Sequence, residues 1–205
     1  MRRILSGMAV LVGLTALALV TVSASPTRAS GDAAGSIMSL LHASTPAFPA
    51  VAMTVDGQPV SGSYINEEVT MIEYLAQQRG QTLSRHDAIQ EAIDNAERRD
   101  LFILAAQRRG ITASDQEAAA WVDQQVQNVA AQGDPNVLLA DVLQADGDAS
   151  IAQYEADPKV LADARDAVLI EKLLNVLHAQ QPPVNLDSYL GQLRASATVT
   201  IHFSY

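Results

Sequence analysis

Along most of this chain apolar residues recur three or four apart, and alternation with polar residues is confined to a stretch after residue 50 and to the closing residues. In AVAMTVDGQPVS, Val51, Met53 and Val55 alternate with small or polar residues, which predicts a strand over residues 51–56. Asp56-Gly57 is a turn dipeptide whose glycine tolerates positive φ. Pro59 has no N–H for a ladder, so only one real strand is expected here, with at best a short edge piece after the turn.

Ser61 then caps a helix whose face carries Ile65, Val69, Ile72 and Leu75, and which Gly80 stops. Ser84, followed by Asp87, opens a second helix with Ile89, Ile93, Leu101, Leu104 and Ala105 as its stripe. Arg108 and Arg109 fall in its last turn, where cations suit the negative end of the dipole, and Gly110 supplies a left-handed cap. Ser114-Asp115-Gln116-Glu117 is a full capping box for a third helix, whose inner side is Ala118, Trp121, Val122, Val126 and Val129. Asp134-Pro135 and Asp157-Pro158 each place a cap before a proline at the first helical position. Between them Asp148 is expected to cap a short helix through Tyr154. The run from Pro158 has the widest apolar face, with Leu161, Ala164, Val168, Leu169, Leu173, Val176 and Leu177, and Pro182-Pro183 end it. Asn185 or Asp187 caps a final short helix before Ala197, Val199, Ile201 and Phe203 alternate.

This pattern predicts a mainly α chain, a bundle of five or six helices with a small two-stranded sheet. A lone strand has nothing to satisfy its backbone, so the last strand needs a partner, and the first is the only convincing one. Residues 197–203 are therefore expected to pair antiparallel with residues 51–55.

The first residues change the picture of where the protein works. MRRILSGMAVLVGLTALALVTVSASPTRAS has two arginines, an apolar run and then small residues, the order of a secretory signal over residues 1–24. Residues 4–22 carry no charge and, at 1.5 Å per residue, are nearly long enough for a bilayer core of about 30 Å, so an uncleaved membrane anchor is the alternative. Either reading puts the body of the protein outside the cytoplasm, in the periplasm, at the cell surface or secreted. Residues 25–49, rich in Ala, Ser, Pro and Gly, read as a flexible linker, and residues 50–205 as the folded domain. With 23 acidic against 13 basic residues and a net charge of −10, nucleic acid is not an expected partner. No cysteine is present, so disulfides, thiolate metal sites and a cysteine nucleophile are excluded.

Motifs for chemistry are missing. There is no G-x-S-x-G elbow, no phosphate-cradling glycine loop and no H-x-x-x-H pair, and His42, His86, His178 and His202 are scattered. No catalytic residue, metal site or cofactor is expected. Aromatic and methionine side chains offer a different function. Tyr64, Met71, Tyr74, Phe102 and Trp121 lie on or beside helix faces, where they either pack the core or line a groove that holds apolar segments of other chains.

VDGQPVS before a helix, then LSRHDAIQEAID, then LAAQRRGITASDQE, resembles the N-terminal domain of SurA-like extracytoplasmic chaperones. Asp56, Gly57, Pro59, Val60 and Ser61 match that family's turn element, and Arg108, Arg109, Gly110, Ile111, Ser114, Asp115 and Glu117 match its junction between helices. LDSYLGQLRASATVTI looks like the family's closing helix and strand. Many relatives carry a parvulin-type prolyl isomerase domain before that helix. Here only QQPPVNLD intervenes, too short for a domain, so isomerase activity is not carried over. The resemblance implies an ATP-independent holdase for unfolded or newly secreted polypeptides. A non-catalytic adaptor docking one envelope partner, or an isomerase with an unfamiliar site, are the alternatives.

Overall fold

A computed structural model describes residues 48–131, 133, 143, 148–180 and 184–205. The expected signal at 1–24, the linker up to residue 47 and most of the segment after Asp134 lie outside the described residues.

Element order is β1 (Val51–Val55), β2 (Gln58–Ser61), α1 (Gly62–Gln78), α2 (Arg85–Arg108), α3 (Asp115–Ala130), α4 (Ile151–Ala156), α5 (Pro158–His178), α6 (Leu186–Ser196) and β3 (Val199–Ile201). The chain is mainly helical with one small antiparallel sheet, as the periodicity predicts. Capping follows the sequence closely. Ser61 Oγ accepts the Tyr64 N–H and Ser84 Oγ that of Asp87, each at 3.1 Å. The Ser114 box is complete, with Glu117 reaching back to the Ser114 N–H at 2.9 Å. Asp157 accepts the Lys159 N–H at 2.6 Å, and Asn185 rather than Asp187 caps α6. One cap differs: α4 is capped by Ser150, not Asp148, because the Ser150 hydroxyl accepts the Gln153 N–H.

The sheet has three strands in the order β2-β1-β3 rather than two. Asp56 and Gly57 both hold positive φ, 49° and 80°, which makes the tight Asp-Gly turn of a two-residue hairpin. β2 thus forms despite Pro59. It is an edge strand in which Thr54 stands opposite Pro59, and an edge is where a residue without an N–H is tolerated. β3 is antiparallel to β1, with Met53 opposite Ile201 and Val55 opposite Val199, so the two ends of the domain do pair, over a shorter span than the alternation suggests.

Two compact units result. One, built from residues 44–112 and 169–205, holds the sheet, α1, α2 and α6. Its core is Ala52, Met53, Val55 and Val60 from the sheet, Ile65, Val69 and Ile72 from α1, and Ala88, Ile89, Ala92, Ile93, Ala96 and Leu101 from α2, with Leu190 and Leu193 of α6 leaning on it. The other unit, which includes residues 113–168, buries Ala118, Val122, Val126, Val129, Leu143, Tyr154, Val160 and Ala164 together. α5 contributes its first residues to this second unit and Leu169 onward to the first. Its expected apolar face is narrower than the spacing implies: Leu173 and Leu177 are buried, but Val176 is 44% exposed.

Candidate functional site

β1 is the middle strand, and its partners leave the two edges of the sheet chemically different. Asp56 donates its N–H to the Thr198 carbonyl and His202 donates to Ala52, each at 2.8 Å. Thr54 stands opposite Thr200 between them. In an antiparallel ladder, alternate residues face the partner, so Val199 and Ile201 turn their N–H and C=O groups away from β1. Among the described residues no strand pairs with that edge. On the other side Val55 and Gln58 close the hairpin as a hydrogen-bonded pair, which sets the nitrogen of Pro59 on the outward side. Proline therefore blunts the β2 edge against further pairing and leaves the β3 edge open.

A clasp fixes the open strand. Asp56 Oδ1 accepts the Thr198 N–H at 2.8 Å, and Oδ2 accepts from Arg108 Nη2 at 2.6 Å. The Thr198 amide first, and then the Arg108 guanidinium, hold the Asp56 carboxyl below its usual range. Arg108, expected to serve the helix dipole, thus ties the end of α2 to the turn and, through it, to β3. Arg194 of α6 adds an ion pair to Glu97 of α2 at 2.8 Å.

The sheet and the tail after β3 also carry exposed apolar side chains. Ile201 is 40% exposed, Val51 39% and Tyr205 42%. Phe203 meets Phe48 edge-on at 4.9 Å and Tyr205 at 5.5 Å. The Tyr205 ring lies 5.2 Å from His86, and its hydroxyl pairs with Gln90 Oε1. The tail after β3 is thereby anchored on α2 while its aromatic rings remain partly open.

The expected site residues are distributed unevenly. Tyr64, Met71 and Tyr74 are half-buried on α1, and the Arg99 guanidinium sits 4.7 Å over the Tyr64 ring. Phe102 is only 2% exposed and stacks on Tyr189 of α6 with centroids 6.4 Å apart, so it joins helices rather than offering surface. Trp121 is half-buried against the core of the other unit. Residue patterns missed Asp56 as a clasp, Val51 and Tyr205 as exposed apolar groups, and Glu68. Glu68, between Tyr64 and Met71 on α1, receives one long hydrogen bond from Asn95 Nδ2 at 3.5 Å. Burial pushes its carboxyl up to about 7. Only parity in β3 carried a signal for the open edge: once Thr200 faces β1, its neighbours must face out.

No family model, curated protein or solved structure matches this chain. Outward backbone donors and acceptors beside exposed Ile201 and Tyr205 suit a ligand with the same groups, which is an extended polypeptide with apolar side chains.

Proposed function

We propose that this chain is an extracytoplasmic, ATP-independent holdase that binds unfolded or newly secreted polypeptides. The observation that carries the reading is the open β3 edge, with Val199 and Ile201 presenting free backbone groups and Ile201, Val51 and Tyr205 presenting apolar surface. A client strand added there gains ladder hydrogen bonds and buries apolar area at about 25 cal/mol per Å², set against the cost of ordering it. Tyr64, Met71 and Tyr74, half-buried on α1, add a second apolar stretch on the same unit. The signal-like N-terminal sequence and the SurA-like motifs support the location and the class, and the net charge of −10 favours clients with basic residues.

The test is light scattering from a chemically denatured protein diluted into buffer with and without the purified chain. Suppressed aggregation at stoichiometric ratios without nucleotide is expected. Unchanged aggregation contradicts the proposal, and capture of one persistent envelope partner instead of many clients favours the adaptor reading.

A further inference from the structure

A sheet edge left unpaired in a monomer is normally guarded by a proline, a lysine or other charge, or a bulge, because it is a template for a further strand. Pro59 guards β2. β3 has no such guard: its register with β1 is regular, and no Asp, Glu, Lys or Arg occurs from Ala195 to Tyr205 in a chain whose net charge is −10. The Asp56 carboxylate at the start of the strand is already matched by Arg108 at 2.6 Å. Two copies of the chain therefore meet along this strip without the like-charge repulsion that an acidic surface imposes elsewhere.

The strand is also complementary to itself. Val199 lies opposite Val55 and Ile201 opposite Met53, so their side chains share the sheet face of those two fully buried residues, whereas Thr198, Thr200 and His202 are exposed on the other face. Turned antiparallel about a two-fold axis at Thr200, a second β3 sets its Ile201 opposite Val199 and its Val199 opposite Ile201. Each of these pairs exchanges both hydrogen bonds through the outward groups, apolar side chains meet apolar ones, and Thr200 meets its own copy as a close threonine pair. Moving the axis to Val199 instead sets Ile201 against Ala197, whose N–H is already given to the Arg194 carbonyl at 3.3 Å.

We infer that β3 pairs with the β3 of a second copy, antiparallel about Thr200, joining two three-stranded sheets into one. Both ends of the joined sheet are then β2 edges carrying Pro59, so growth stops at a closed dimer. A strand of three residues makes a contact well short of the ~1,200 Å² of a stable interface, so the pair is reversible, with a midpoint of about 10–1,000 μM. The inference rests on the open edge proposed above as the client site, and a client and a second copy compete for it.

Sedimentation equilibrium of the full chain without client, from about 5 μM to 1 mM, tests the pairing. The average mass should rise from monomer towards dimer and no further. Thr200→Lys and Thr200→Glu keep the ladder N–H but set like charges face to face in the dimer, so each alone should need a concentration higher by about 3-fold or more. An equimolar mixture of the two should associate at least as readily as the wild type. A wild type that stays monomeric overturns the inference, as do variants that associate unchanged or a mixture no better than its components. Amide exchange on the wild type needs no variant: protection at Val199 and Ile201 should grow with concentration in step with mass, and constant protection contradicts the pairing. Because no client is present, a monomer overturns the pairing without touching client binding.

Discussion

Gly62 opens α1 where the chain before β1 crosses it. A Cβ at this position would meet the Pro49 carbonyl oxygen at 2.2 Å and the Phe48 Cβ at 2.8 Å. Gly62→Ala forces backbone apart instead of nudging a flexible side chain, and should destabilise the fold by about 1–3 kcal/mol, read as a lower midpoint in urea. Asp56 acts through charge. Its carboxyl is held below the usual value by the Thr198 amide and Arg108, so the folded form binds fewer protons than the unfolded one. The resulting stability is present above the ordinary aspartate range near 3.8 and is lost as pH falls below it. Asp56→Asn should therefore melt at a lower temperature than wild type at pH 6, and the gap should close in acid. A constant gap would mean that geometry, not charge, carries the clasp.

At the level of elements, β3 makes a sharp prediction because neighbouring residues play opposite parts. The Thr200 N–H lies within the ladder to Thr54, whereas the Ile201 N–H points out of the sheet. Thr200→Pro should remove a ladder bond and sharply lower the melting temperature. Ile201→Pro removes an outward donor, so it should cost less stability yet weaken the proposed client capture more. The reverse order in a thermal scan would refute the assigned register. Helices were far easier to read from the sequence than this sheet. Ser61, Ser84, Ser114, Asp157 and Asn185 all cap where local chemistry says they should, because a cap is satisfied within one turn. The terminal pairing was legible from the alternation and from the need for a partner. β2 was not, since a proline disfavours strands in general and only its position on an edge makes it harmless. Phe102 illustrates the limit for sites. Spacing placed it on a helix face, but burial against Tyr189 depends on where α6 packs, which no local pattern encodes.

For the molecule as a whole, Asp56 and Glu68 pull stability in opposite directions with pH. Glu68 rises from 4.5 to about 7 on folding, so the folded state binds more protons between those values. Stability is greatest below the unfolded value and is lost as pH rises through about 7, by at most about 3–4 kcal/mol. Combined with the acid-side loss at Asp56, this predicts maximal stability near pH 4–5, checked by urea midpoints across pH. A maximum above pH 7 would contradict the Glu68 assignment, and unchanged stability below pH 3.8 the Asp56 one. The unit that carries the sheet is assembled from residues 44–112 and 169–205, and its clasp joins Asp56 to Thr198 across most of the folded chain. The open edge is thus presented only after the chain closes on itself, so the proposed binding belongs to the folded protein. The most direct test is titration of the full chain with a permanently unfolded polypeptide, followed by amide-exchange footprinting. Saturable binding with new protection at the Val199 and Ile201 amides is the predicted result, and absence of binding, or binding that leaves those amides unchanged, contradicts it.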